Sequence, residues 1–311
     1  MKSNRLLTLV PLLPALACAS TAATSSHSAD AAANASLDTS IDASVDTTSA
    51  SDAAGDLGHD LGDNVLSCET WYRHPIAGTD AVLVNNVWNE QWAGDKPHSQ
   101  CLLQRPKADG STQYGWRWDW PAYKPYTSYA APEALIGWKA WDGGKSTLAS
   151  LPRRVDALSS LNVDFAVDIK AAPTYNLNTT MWITATDVAT ASPNPSDIRN
   201  EIMVWFANPA GLGGGITYDG AVTLAGIQFD VWHLVNNPDA SGGSTQKWTM
   251  IIYAARDNRQ AASFDLKLVL DDCVSKGLVD PTHAVGGVEL ITEIFGGKGE
   301  LWLDRFGVAV K

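Results

Sequence analysis

From about residue 81 to the C-terminus, short apolar runs alternate with clusters of Gly, Pro, Asn and Asp. Runs rich in β-branched and aromatic side chains and closed by turn formers predict strands, because such residues suit a pleated, half-buried surface. The candidates are 81–88, 114–120, 163–170, 181–185, 201–207, 226–234, 247–254, 288–295 and 301–310. One segment, 264–274, has apolar spacing that suits a short amphipathic helix instead, with Cys273 as a buried free thiol. Many short strands with little helix predict an all-β chain folded as a two-sheet sandwich or jelly roll. No internal repeat is visible.

Three of these strands carry carboxylates on the face opposite their regular apolar row. In Glu201-Ile202-Met203-Val204-Trp205-Phe206, period-two alternation puts Ile202, Val204 and Phe206 on one side and Glu201, Met203 and Trp205 on the other. In 163–169, Phe165, Val167 and Ile169 share a core face while Asp164 and Asp168 face away. In 288–295, Glu289, Ile291, Glu293 and Phe295 lie together, and apolar residues fall on both faces. Each carboxylate taken singly reads as a solvated strand residue, since charges are rarely buried unless paired.

Composition changes the picture at the N-terminus. Residues 1–17 combine Lys2 and Arg5, an apolar stretch and Pro14-Ala15-Leu16-Ala17 before Cys18, the layout of an export signal. Ala15-Leu16-Ala17-Cys18 resembles a lipoprotein box, with Cys18 as the residue for lipid attachment and simple secretion as the alternative. Residues 18–64 are almost entirely Ala, Ser, Thr, Asp and Gly, a composition that cannot bury enough apolar surface to order itself, and they read as a disordered tether. The eight Asp of that tether and the two signal cations account for half of the net charge of −12; the rest of the chain holds 20 basic and 26 acidic residues, a net of −6. A mildly acidic domain argues against nucleic acid, whose binding rests on clustered Lys and Arg. Residues 65–311 suffice for one large β domain with a sizeable core. No later segment is apolar for long enough to cross a membrane, so the membrane enters only through a lipid on Cys18.

Cys68 and Cys101 lie at the start of that domain, where an exported chain lets them pair. The six His show no ligand spacing, so neither metal nor other cofactor is expected. Gly211-Leu212-Gly213-Gly214-Gly215 lacks the Gly-Lys-Ser/Thr of a phosphate loop, and no Gly-x-Ser-x-Gly elbow occurs. Carboxylates beside thirteen Trp fit sugars: indole rings stack on the CH face of a pyranose, and cleaving a glycosidic bond takes two carboxyl groups. Core packing is the alternative use of those rings, and Trp116, Trp118 and Trp120, sharing one strand face, are not assigned by periodicity.

At this point the chain resembles the endoglucanases of glycoside hydrolase family 12. Cys68-Glu69-Thr70-Trp71, Asn85-Asn86-Val87-Trp88, the strand ending at Asp168, Glu201-Ile202-Met203-Val204-Trp205 and Thr292-Glu293-x-Phe295 are similar to that family's motifs, in its order. Ile291, Ile294 and Asn89 depart from the Gly, Pro and Gly usual at those places. The resemblance implies a two-sheet β-jelly roll with a concave substrate cleft and a retaining endo-hydrolase of β-1,4-glucan, whether cellulose-type, mixed-linkage or xyloglucan. It implies Glu201 as nucleophile, Glu293 as acid/base and Asp168 as a carboxylate supporting Glu201. It further implies a Cys68–Cys101 disulfide and places Trp71, Asn86, Trp88, Met203 and Trp205 on the substrate. The partner is then a β-glucan polysaccharide and the chain a monomer. A tethered, non-catalytic glucan-binding module is the rival reading, since stacking Trp would serve it equally. A laminarinase-type strand, Glu-x-Asp-x-x-Glu, is broken by Met203.

Overall fold

The computed structural model describes residues 64–121, 128–211, 215–239 and 244–311, all within one compact unit, Ala54–Lys311. The export signal, Cys18 and all of the tether but Asn64 lie outside the described residues. The strands are, in chain order, β1 (Asn64–Ser67), β2 (Arg73–Pro75), β3 (Val82–Val84), β4 (Ser99–Pro106), β5 (Thr112–Trp120), β6 (Glu133–Gly137), β7 (Arg153–Arg154) and β8 (Leu161–Ala171). There follow β9 (Tyr175–Thr184), β10 (Ile198–Ala207), β11 (Thr217–Leu224), β12 (Ile227–Pro238), β13 (Lys247–Ala255) and β14 (Ala261–Asp265). The helix α1 (Lys267–Ser275), β15 (Ala284–Val285), β16 (Gly287–Ile294) and β17 (Gly297–Val310) close the chain.

Two sheets result. The smaller runs β1-β4-β5-β17-β8-β14; the larger runs β11-β12-β13-β10-β9-β16-β6-β3-β2, with β15 and β7 attached at β9. Strands pair antiparallel except β10 with β13. Facing apolar rows interlock between the sheets: Ile202, Val204 and Phe206 from β10 meet Phe165 and its row on β8, with Phe165 and Phe206 ring centroids 5.0 Å apart. Trp116, Trp118 and Trp120 all belong to this core, each at most 3% exposed. Burying a large apolar side chain contributes roughly 1.5–3 kcal/mol, so indole stripes on β5 are a major source of cohesion. Gly299 is required by that packing, because a Cβ there would lie 2.1 Å from the Trp118 ring. The architecture is the all-β two-sheet jelly roll expected, with one α-helix among the described residues.

The helix is shorter than its periodicity implied. Phe264 belongs to β14, paired with Val163 on β8, and is buried. Asp265 ends the strand: its Oδ1 accepts the Lys267 N–H at 3.0 Å and the Leu161 N–H at 2.8 Å, which starts the first turn. Val269, Leu270 and Cys273 then face the core. Cys273 is a buried free thiol whose pKa burial pushes up to about 12, which leaves it inert.

Candidate active site

The outer face of the larger sheet is a concave cleft of about 460 Å³. Its central strands are β10, β9 and β16, side by side. Alternation turns Glu201, Met203 and Trp205 of β10 into the cleft, and Glu289, Ile291 and Glu293 of β16 likewise, so both predicted catalytic carboxylates line one cavity. Met203 and Trp205 are buried in its floor with Ile252 and Ala254 of β13, and the Trp205 Nε1–H points at Met203 Sδ, 3.5 Å away. Asn86, Trp88 and Trp71 line the end nearer β2 and β3, Trp71 being 44% exposed.

Each carboxylate is held by a neutral donor. Trp248 Nε1 on β13 donates to Glu201 Oε2 at 2.8 Å, and Asn176 Nδ2 on β9 donates to Glu293 Oε2 at 2.5 Å. Burial dominates nonetheless. It pushes Glu201 up to about 7, with the charge on Glu293 adding to the rise, while the Trp248 hydrogen bond and the Lys139 charge oppose it. Burial also raises Glu293, against the Asn176 hydrogen bond. Two carboxyls that line one cleft, partly removed from water, and sense one another do not ionise together freely, so the arrangement supports one proton between them near neutrality.

Asp168 is corrected by the structure. It lies on β8 in the smaller sheet, opposite Trp302 of β17, with its side chain 48% exposed and Lys170 Nζ 3.7 Å away. Phe165, Val167 and Ile169 alternate into the core, so Asp168 points out of the sandwich on the side away from the cleft and has no contact with Glu201. The support expected of it comes from Trp248.

Sequence reasoning also missed a buried ion cluster lining the cleft. Lys139 Nζ lies 2.9 Å from both oxygens of Glu133 and 3.1 Å from Glu289 Oε1, and the side chains are 4%, 0% and 3% exposed. Asn86 Nδ2 donates to Glu133 at 3.2 Å and Trp182 Nε1 to Glu289 at 3.4 Å. Glu289 is raised by burial and by Glu133, with Lys139 opposing. Lys139 stays protonated because the surrounding carboxylates outweigh its desolvation. A Lys in the segment after β6 has no periodicity to reveal it. Trp141, Trp182 and Trp248 meet edge-on beside Glu201, with centroids 5.4–5.7 Å apart. Cys68 and Cys101 form a disulfide that ties the start of the domain to β4. Among the described residues no group of three or more His, Cys, Asp or Glu is arranged to hold a metal, and no helix is long and apolar enough to cross a membrane.

Residues 80–311 match the pattern of glycosyl hydrolase family 12. This chain belongs to that family, and is a glycoside hydrolase. Among characterised relatives, Endoglucanase S of Pectobacterium parmentieri is 28% identical over 230 residues, covering 74% of this chain and 81% of that protein. A family 12 xyloglucanase from Bacillus licheniformis, solved with a ligand, superposes with a TM-score of 0.67 at 25% identity, over 79% of this chain and 99% of the other. The endoglucanase Cel12A from Rhodothermus marinus superposes at 0.61, with 22% identity and 79% and 98% coverage, a likeness of fold.

Proposed function

We propose that this chain is an endo-acting hydrolase of β-1,4-glucan that retains anomeric configuration, with Glu201 as nucleophile and Glu293 as acid/base. The observation that carries the reading is two half-buried carboxylates on strands flanking β9, facing one indole-rich cleft and both raised by desolvation. Glu201 attacks C1 while Glu293 gives its proton to the departing glycosidic oxygen; water then attacks the glycosyl ester as Glu293 takes a proton back. Esterifying Glu201 removes its negative charge, which lowers the proton affinity of Glu293 and turns the acid into a base. Trp248 holds the Glu201 carboxylate in line. Trp71, Asn86 and Trp88 take glucosyl rings at one end of the cleft, and Met203 and Trp205 form the floor. The resemblances to an endoglucanase and a xyloglucanase support cleavage within the polymer.

The segments at the N-terminus support export, by secretion or by a lipid on Cys18, of a monomeric enzyme acting on polysaccharide outside the cell. The test is viscosity loss and reducing-end release on soluble β-1,4-glucans, with Glu201→Gln as control. Cleavage abolished by that substitution is expected; polymer bound and left uncut by the unmutated protein would make the chain a glucan-binding module instead.

A further inference from the structure

A second cavity, about 330 Å³, opens beside the cleft and is lined by Trp71, Arg73, Val84, Trp141, Asp142 and Pro193. Trp71 and Trp141 also line the main cleft, so the two spaces share walls. We propose that this side cavity is a branch pocket, which takes a single sugar substituent carried by a main-chain ring seated in the cleft, and that the preferred substrate class is therefore a branched rather than a bare β-1,4-glucan. The proposal rests on the hydrolase reading above and narrows its substrate.

Size, lining and backbone all point the same way. The volume lies at the small end of ligand sites, which run to about 300–1,000 Å³, and so suits one ring more than a chain. Two indoles offer apolar faces for the CH side of a pyranose or pentose. At the polar end, an Arg73 Nη1 to Asp142 Oδ2 ion pair joins β2 to the segment after β6. That pair engages one guanidinium nitrogen, which leaves further N–H donors and carboxylate lone pairs for a sugar's hydroxyls. Trp71 itself has φ of +65°, a left-handed conformation that a bulky residue adopts only where its surroundings impose it. The Trp71 N–H donates to Asn85 O at 2.8 Å, and Asn85 Nδ2 donates to Glu69 O at 3.0 Å, beside the Cys68–Cys101 disulfide. The chain thus accepts local strain to stand an exposed indole between the two cavities. An unbranched glucan leaves the Arg73–Asp142 end untouched.

The experiment compares kcat/KM on xyloglucan, the branched probe, with kcat/KM on an undecorated mixed-linkage β-glucan, for the full chain and its Arg73→Ala variant. The unmutated enzyme is expected to favour xyloglucan. Arg73→Ala is expected to lower kcat/KM on xyloglucan about tenfold or more, chiefly through KM, the loss that follows from removing hydrogen bonds to a charged group. Its rate on the undecorated polymer should stay within about twofold, which also shows that the variant is folded. Calorimetry with a xyloglucan heptasaccharide on Glu201→Gln, with and without Arg73→Ala, should show the same loss as affinity. Equal losses on both polymers, no loss on either, or a wild-type preference for the bare glucan would overturn the branch pocket and leave the hydrolase intact. No cleavage of either polymer by the unmutated enzyme would remove the hydrolase reading and the pocket with it.

Discussion

The outer faces of the two sheets carry the same kind of sequence and come to opposite ends. On β8, Asp164 and Asp168 alternate with Phe165 and Val167; on β10 and β16, Glu201 and Glu293 alternate with Ile202 and Ile294. On the smaller sheet the acids stay half-exposed, Asp164 paired with Arg305 at 2.8 Å and Asp168 beside Lys170. On the larger sheet a floor of indoles and the walls of a concave cleft take water away, and the carboxyls respond by holding protons more tightly. Alternation therefore assigns a side chain to a face. What lies over that face decides whether the acid is an ordinary surface charge or a reacting group.

The sharpest way to break this comparison is to neutralise one acid from each face. Glu201→Gln should lower kcat on a soluble glucan by about 10³-fold or more, the scale on which removing a catalytic group acts. Asp168→Asn should leave kcat and KM within about twofold. A large loss on Asp168→Asn, measured by reducing-end release, would restore that residue to the site and overturn its placement on the opposite sheet.

That contrast also shows how far the sequence reads. The faces of β8, β10 and β16, the core row of each and the two cleft carboxylates follow from period-two alternation and from the motifs around Glu201 and Glu293. The site role of Asp168 rests on the resemblance of its strand to a family motif, and alternation does not correct it, because alternation looks the same on either sheet and only pairing tells the sheets apart. The first half of β9 was missed since Tyr175-Asn176-Leu177-Asn178-Thr179-Thr180 is too polar to read as a strand; its Asn and Thr side chains form a polar ladder, Asn176 holding Glu293 and Asn178 bonding Asn176. Trp248 was on a predicted strand, but that it meets Glu201 depends on the parallel pairing of β13 with β10 across 47 residues, which no local pattern reports.

The next test uses the cations. Lys139→Met leaves Glu133 and Glu289 buried without their counter-charge, and losing one partner of such a cluster costs about 3–5 kcal/mol. Denaturant melts should show that loss. Lys170→Met, next to Asp168 and itself 70% exposed, should move stability by no more than about 0.5 kcal/mol. Equal small effects would mean that water reaches the Lys139 cluster.

A smaller effect has a definite sign. Glu201 rises from 4.5 to about 7 on folding, so the folded state keeps a proton that the unfolded chain releases. The stability this contributes is complete below about pH 4.5 and is lost as pH rises through 7. Glu201→Gln cannot lose that proton and still accepts from Trp248. It should therefore match the wild type near pH 4 and exceed it by about 3 kcal/mol at pH 8, in thermal melts across that range. A constant difference at all pH values would mean that Glu201 is not perturbed by its burial.

The smallest expected effect belongs to the indole that replaces Asp168 as the support of Glu201, the proposed nucleophile. Trp248→Phe keeps the ring packed against Trp141 and Trp182 but removes the one hydrogen bond that favours a charged Glu201 from β13. Losing it costs about 1 kcal/mol of stabilisation of the Glu201 carboxylate, which for the proposed nucleophile means a several-fold fall in kcat at neutral pH. Because the bond lowers the Glu201 pKa, its loss raises it, and the acid limb of the pH–rate profile should move to higher pH while KM changes little. A fall in rate that is uniform across pH would assign Trp248 to packing alone, and the cleft would then hold Glu201 by burial and the distant charge of Lys139.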